Sequence, residues 1–114
     1  MAVAAVALLA GCGGSTTAQP AGSIKVSMSE FKFDPATINV PSGKVVFYLV
    51  NSGTTSHDLI IRDSSNNRVS GSELVSAGDA IVFTVDTIPA GTYTYFCDQS
   101  GHEASGMKGT LTIT

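Results

Sequence analysis

Short stretches in which hydrophobic and polar residues alternate are the main pattern along this chain. Alternation with a period of two is typical of half-buried β-strands. Lys44–Asn51 (KVVFYLVN) is instead an almost unbroken run of apolar, β-branched and aromatic residues, which indicates a central strand covered on both faces. The other predicted strands are Ser23–Ser29, Phe31–Phe33, Thr37–Val40, Asp58–Arg62, Ala80–Val85, Thr92–Phe96 and Lys108–Thr114.

Turn-forming residues separate the predicted strands. Asp34-Pro35, Pro41-Ser42-Gly43 and Pro89-Ala90-Gly91 are turn signals, and Ser64–Arg68 and Ser76–Asp79 are expected to be loops. No long stretch after residue 22 has a helical repeat. About eight short strands with turns every ~8–12 residues are typical of an all-β sandwich or barrel.

Residues 1–11 (MAVAAVALLAG) form an uncharged apolar run. The run is shorter than the about 20 apolar residues that a membrane-spanning helix needs, and its length fits the apolar core of a secretory signal. The sequence Leu9-Ala10-Gly11-Cys12 at its end resembles the lipobox of prokaryotic lipoproteins. This resemblance implies a signal peptide over residues 1–11, a lipid anchor at Cys12, and export to the outer face of a prokaryotic membrane. The alternative is an ordinary apolar strand with a buried Cys12.

The next segment has the composition of a flexible tether. Residues 13–22 (GGSTTAQPAG) are small, polar and uncharged, so the lipidated Cys12 and the tether are expected to occupy residues 12–22. Residues 23–114 are then expected to form one folded domain. Nine acidic and six basic residues give a net charge of −3, which argues against nucleic-acid binding because no basic surface can form.

Both histidines and the second cysteine occupy positions that suit a metal site. Cys97, His102 and Met107 follow the predicted strand Thr92–Phe96 with the spacing C-x4-H-x4-M, and His57 lies upstream at a strand start. One Cys and two His with a long, weak axial Met form the donor set of blue-copper electron-transfer centres. Sulfur donors suit Cu(I), and imidazole suits both oxidation states. The sequence therefore predicts a site for one copper ion.

The same residues have other possible explanations. Two His and one Cys are also a catalytic zinc set, although zinc would leave Met107 without a role. A Cys12–Cys97 disulfide is a second alternative, and a metal-free adhesion sandwich with a coincidental pattern is a third. A catalytic copper enzyme would need further histidines for a second copper site, and the chain has only two. The chain is therefore not expected to be an enzyme.

Several motifs together resemble the cupredoxin family, which includes plastocyanin, azurin, amicyanin and auracyanin. They are Asn51-x5-His57-Asp58, Gly91–Cys97 (GTYTYFC), Gly101-His102 and Gly106–Leu111 (GMKGTL). The resemblance covers residues 23–114 and implies an eight-stranded Greek-key β-sandwich that carries single electrons on one type 1 copper. It also implies that His57, Cys97 and His102 are equatorial ligands and Met107 the axial one. By the same analogy, electrons are expected to leave through His102.

Two features differ from plastocyanin. Asp58 stands where plastocyanin and azurin have Asn, and an ionised carboxylate accepts hydrogen bonds but cannot donate them. Its negative charge is also expected to lower the reduction potential. The spacing between Cys97 and His102 differs as well, and it should change the exposure of the His102 edge. Together with Asp98 and Glu103, Asp58 is a candidate for an acidic rim at the copper end, although ordinary solvated charge is the simpler explanation.

The remaining aromatic residues are predicted to be structural. Tyr93 or Tyr95 is expected to close a tyrosine corner. All five phenylalanines are predicted to lie in the core; they are Phe31, Phe33, Phe47, Phe83 and Phe96.

The function predicted from the sequence is one-electron transfer by a membrane-tethered blue-copper protein. Its expected partners are a redox protein that donates the electron and another that accepts it, both docking transiently through small interfaces. The chain is expected to be a monomer. The alternative function is a copper chaperone or storage protein that handles Cu(I), because the ligand set hardly separates the two.

Overall fold

The protein is a sandwich of two β-sheets in the computed structural model, which describes residues 17–114. Its strands, in chain order, are β1 (Ile24–Ser29), β2 (Lys32–Asp34), β3 (Thr37–Val40), β4 (Gly43–Asn51), β5 (Ile60–Arg62), β6 (Arg68–Gly71), β7 (Ala80–Ile88), β8 (Gly91–Phe96) and β9 (Lys108–Ile113). One sheet has the order β2-β1-β4-β7, and the other has the order β3-β9-β8-β5-β6.

The chain crosses repeatedly between the two sheets. Strand β1 pairs in parallel with β4, and β3 pairs in parallel with β9, whereas the other pairings are antiparallel. Parallel neighbours require a crossover connection, which here runs through the opposite sheet as in Greek-key sandwiches. The predicted all-β Greek-key sandwich is therefore confirmed, with nine strands in residues 17–114 in place of about eight.

The additional strand is β6, which begins at Arg68, the last residue of the predicted loop Ser64–Arg68. It pairs with β5 at the edge of its sheet and contains no buried residue. Because an edge strand without a buried face needs no alternating apolar pattern, its sequence does not reveal it. Strand β5 begins at Ile60, two residues later than predicted, since His57 and Asp58 belong to the segment that forms the candidate site.

The core lies between the sheets, and three of the five phenylalanines contribute to it. Phe47 and Phe83 are cross-strand partners with stacked rings 5.7 Å apart, and Phe33 packs edge-on against Tyr95 at 5.2 Å. The prediction was wrong for Phe31, which is 42% exposed in the turn between β1 and β2. It was also wrong for Phe96, which is half-buried on the face opposite Tyr95.

The two tyrosines of β8 have different partners. The Tyr93 hydroxyl donates to the carbonyl of Pro89, four residues upstream, at 2.8 Å. Of the two residues predicted as candidates for a tyrosine corner, Tyr93 is therefore the one that forms it. The Tyr95 hydroxyl donates instead to the carbonyl of Pro35 at 2.6 Å, which ties β8 to the segment before β3.

Several predictions fall on the N-terminal segment. The signal peptide over residues 1–11, lipidation of Cys12 and a disulfide between Cys12 and Cys97 involve residues outside the described range. Within residues 17–114, no helix is long and apolar enough to cross a membrane.

Candidate metal centre

The four predicted ligand residues are carried by two segments at one end of the sandwich. His57 lies between β4 and β5, and its main chain exchanges two hydrogen bonds with Val75, at 3.1 and 2.8 Å. Cys97 follows β8 directly, and Met107 precedes β9 directly. Because β8 and β9 pair antiparallel, these two residues meet, and the amide of Cys97 donates to the carbonyl of Met107 at 3.2 Å.

The loop between Cys97 and Met107 is a compact series of turns that holds His102. The amide of His102 donates to the carbonyl of Gln99 at 3.0 Å, and the His102 carbonyl accepts from the amide of Met107 at 3.1 Å. Gly101 and Gly106 have φ values of +79° and +109°, in the region that side-chain-bearing residues rarely adopt. Backbone bonding and two glycines thus fix the position of His102 between the other two residues.

Three donor atoms converge on one point. The Nδ1 atoms of His57 and His102 are 3.2 Å apart, and the Sγ of Cys97 lies 3.5 Å from Nδ1 of His102 and 3.9 Å from Nδ1 of His57. The point equidistant from these three atoms is about 2.1 Å from each, which matches ordinary metal–nitrogen and metal–sulfur distances of about 2.0–2.3 Å. The arrangement therefore fits one metal ion.

Burial sets the protonation of the donor groups. His57, Cys97 and Met107 are fully buried, whereas His102 is half-buried. Burial, and next the neighbouring His102, lower the pKa of His57, so its imidazole is neutral, as a metal ligand must be. Burial raises the pKa of the Cys97 thiol, and metal binding must therefore displace the thiol proton.

Asp58 links the two ligand segments. Its Oδ1 accepts the amide of Asp98, the residue after Cys97, at 2.9 Å, so the carboxylate acts as a hydrogen-bond acceptor here. The side chain is only 5% exposed. Burial, together with its contact to the Asp98 side chain, raises the pKa of Asp58 to about 6.

Asn51 stabilises the segment that carries His57. It is 1% exposed, and its amide nitrogen donates to the carbonyls of Thr55 at 2.8 Å and Val75 at 2.9 Å. Its Oδ1 accepts the amide of Gly53 at 2.9 Å. One buried side chain thus satisfies three main-chain groups around the His57 loop, which is the expected state of a buried polar group.

Two residues of the turn between β1 and β2 also reach the histidines, a role that no sequence pattern predicted for them. The Glu30 Oε1 lies 3.5 Å from Nε2 of His57. The ring of Phe31 meets the ring of His102 edge-on, with centroids 5.2 Å apart. An unusual φ of +62° at Phe31 directs its ring outward, and nothing local in the sequence signals that conformation.

The charge of the candidate acidic rim at the copper end is partly neutralised. Glu103 forms an ion pair with Arg62 at 2.6 Å, and this guanidinium also lies 4.4 Å from the ring centroid of Phe96. Asp58, Asp98 and Glu103 therefore do not present three unpaired charges. The structure favours ordinary solvated charges at this end over a continuous negative surface.

Known proteins share both the sequence and the fold. The family model of the Cupredoxin-like domain matches residues 2–113. Plastocyanin from Scenedesmus fuscus is 30% identical over 88 residues, which cover 71% of this chain and 85% of the plastocyanin. The copper-resistant cuproprotein CopI from Rubrivivax gelatinosus is 26% identical over 108 residues, covering 80% of this chain and 66% of CopI.

The same fold occurs in a solved auracyanin. The structure of the dithionite-reduced auracyanin from Roseiflexus castenholzii has a TM-score of 0.72 to this one, with 21% identity, over 90% of this chain and 99% of the auracyanin. The family match over nearly the whole chain agrees with the donor atoms described above, which suit one copper ion. The chain therefore belongs to the cupredoxin family, whose members hold copper, carry electrons transiently between redox partners and are not enzymes.

Proposed function

We propose that this chain is a mononuclear type 1 copper protein that carries single electrons between redox proteins outside the cytoplasm. His57, Cys97, His102 and Met107 would hold the ion. The observation that carries the proposal is the triangle of two Nδ1 atoms and one Sγ, whose centre lies at ligand distance from all three. Copper bound there supplies the one-electron couple between Cu(II) and Cu(I).

The surrounding chain supplies a rigid geometry for both oxidation states. The ligand segments are held by main-chain bonds at Cys97 and Met107 and by the Asp58 bond to the Asp98 amide. None of these bonds involves the metal, so the chain itself can hold the donor atoms in position. Because the other three proposed ligands are fully buried, a redox partner would reach the centre through the half-buried ring of His102.

The location of the protein rests on its N-terminal sequence. Residues 1–11 would be a signal peptide, and Cys12 would carry a lipid that anchors the protein to the membrane. Residues 12–22 would then be a tether, and residues 23–114 a monomeric copper domain. Replacing Cys12 by serine should move the protein from the membrane fraction to the soluble fraction and remove the acyl mass from its N-terminal peptide. An unchanged distribution and mass would overturn the anchor.

A second candidate function is Cu(I) delivery or storage. The similarity to CopI, which is named as a copper-resistant cuproprotein, supports it, and sulfur donors favour Cu(I). An electron carrier should show a reversible redox couple and keep its copper through many cycles. A chaperone or storage protein should instead release Cu(I) to a competing site of similar affinity on the time scale of mixing.

A visible absorption spectrum tests the proposed centre. The full chain with Cys12→Ser, loaded with Cu(II) and freed of excess metal, should show an intense thiolate-to-copper charge-transfer band. The added change Cys97→Ser should abolish the band, while Cys12→Ser alone should retain it, which makes the two cysteines a matched pair. A colourless protein that retains zinc would favour the zinc alternative, and one without any bound metal would favour a metal-free sandwich.

A further inference from the structure

One buried atom of the proposed centre has no hydrogen-bond partner among residues 17–114. His57 is fully buried, and its Nδ1 faces Cys97 and His102, but its Nε2 lies on the opposite side of the ring without a hydrogen bond to any of the described residues. Buried polar atoms in folded proteins nearly always have a partner, so an exception calls for an explanation. The polar group that faces Nε2 is the carboxylate of Glu30, whose Oε1 is 3.5 Å away.

The Glu30 carboxylate is itself held in place. Its Oε1 accepts the amides of Thr54 at 2.7 Å and Thr55 at 2.9 Å, and the Thr55 hydroxyl at 3.2 Å. These amides lower the pKa of Glu30 to about 2, so the group is ionised at neutral pH. A carboxylate fixed by two main-chain amides is a directed acceptor rather than a freely rotating surface charge.

Gly53 provides the space for this carboxylate. A Cβ at position 53 would lie 2.6 Å from Oε1 and 2.8 Å from Oε2 of Glu30. Gly53 has no positive φ that would explain the glycine by backbone conformation. The close approach of Glu30 is thus a second, independent sign that the loop is shaped around this side chain.

We propose that Glu30 is a positioning residue for the copper centre, and that its carboxylate accepts the Nε2–H of His57. This contact would place the proton of the imidazole on Nε2 and leave the lone pair of Nδ1 directed at the metal. The inference rests on the proposed role of His57 as a ligand. Carboxylate partners of this kind fix the tautomer and ring orientation of metal-bound histidines in many proteins.

The geometry of the second histidine agrees with this tautomer. The two Nδ1 atoms are 3.2 Å apart, so in the metal-free protein one of them must carry the proton between them. With its proton on Nε2, His57 is the acceptor and His102 the donor in that contact. From its distance of 3.5 Å, the Oε1 of Glu30 would need to approach by about 0.6–0.8 Å to make a normal charge-assisted bond of about 2.7–2.9 Å.

The experiment compares two substitutions of Glu30 in the full chain carrying Cys12→Ser. Glu30→Ala removes the acceptor, whereas Glu30→Gln keeps an amide oxygen for Thr54, Thr55 and His57 but removes the charge. Asp86→Ala and Asp86→Asn are the matched controls, because Asp86 is an exposed carboxylate towards the far end of β7. Copper affinity is measured at fixed pH by competition with a Cu(I) chelator.

Glu30→Ala should weaken Cu(I) binding about 10–100-fold, the usual effect of losing such a partner. Glu30→Gln should recover most of that loss, and the Asp86 variants should match the parent. In the metal-free protein, nitrogen-15 NMR at pH 8 should assign the proton of His57 to Nε2 in the parent, and Glu30→Ala should shift the tautomer population towards Nδ1–H.

Parent-like Cu(I) affinity and an unchanged His57 tautomer in Glu30→Ala would overturn the proposal. A loss of stability alone, with both readouts unchanged, would also overturn it, because Glu30 would then only hold the loop. If Glu30→Ala does not fold, Gly53→Ala decides, since it displaces the carboxylate and should weaken Cu(I) binding as well. If the parent itself binds no copper, the proposed function fails, whereas the tautomer of the metal-free protein still tests the Glu30 contact.

Discussion

Replacing Asp58 by asparagine should stabilise the copper-free protein increasingly as the pH rises from 4.5 to 8. Asp58 is 5% exposed, and burial is the main cause that raises its pKa from 3.8 to about 6. An asparagine keeps a carbonyl oxygen for the amide of Asp98, which Asp58 accepts at 2.9 Å. It cannot ionise, so it removes the cost of holding a buried negative charge above pH 6.

The direction of this pH effect follows from the linkage between protonation and folding. The pKa of Asp58 in the folded state lies above its value in the unfolded chain, so its stabilising contribution is fully present below pH 3.8 and is lost as the pH rises through about 6. One pKa unit corresponds to about 1.4 kcal/mol, so the loss approaches about 3 kcal/mol at pH 8, of which about 1 kcal/mol is already lost at pH 4.5. The variant should therefore gain about 2 kcal/mol relative to the parent between these two pH values.

Urea unfolding of both metal-free proteins at pH 4.5, 6 and 8 measures this gain. The difference between the two proteins is the useful quantity, because the lowered pKa of His57 changes the stability of both in the same direction. Asp86→Asn is the control, since it removes an exposed carboxylate and should give a constant difference. A difference between Asp58→Asn and the parent that stays constant within ~0.5 kcal/mol over this range would refute the reasoning.

Three further substitutions test other contacts. Asn51→Ala should lower the free energy of unfolding of the metal-free protein by about 3 kcal/mol in urea titrations, because three main-chain partners lose their bonds. Gly109→Ala should cost ~3 kcal/mol or more in the same assay, since the new Cβ would overlap the fully buried ring of Tyr95. Phe31→Ala should leave the free energy of unfolding within about 1 kcal/mol but increase the exchange of the His102 ring proton with water, measured by NMR, because it removes the edge-on cover. An unchanged exchange rate would show that Phe31 does not shield this ring.

The candidate site was predictable from the sequence because most of its information is local. Three of the four predicted ligand residues lie in the eleven positions from Cys97 to Met107, where the residue types and their spacing restrict the chemistry strongly. Predicting His57 as a ligand required only one further assumption, that the loop after the central strand β4 meets the segment from Cys97 to Met107. The close approach of the two Nδ1 atoms and one Sγ agrees with this prediction.

The residues that support the site were not predictable in the same way. Glu30 contacts Thr54 and Thr55, which are 24 and 25 positions away, and such a residue in a turn has the sequence signature of an ordinary surface charge. Phe31 alternates with Phe33, a pattern that predicts a buried ring, but its positive φ reverses the direction of its side chain. These roles depend on how one turn folds over a distant loop, and a local pattern contains no information about that.

Three polar side chains around the centre stabilise the main chain of the ligand segments. Asn51, Asp58 and Glu30 each bond main-chain groups of the segments that carry the ligands, and these bonds to the main chain use none of the three donor atoms that converge on the metal position. Their hydrogen bonds can therefore persist through a change in the oxidation state of a bound ion. Because the fold holds the donor atoms, the proposed electron transfer should need little rearrangement of the protein.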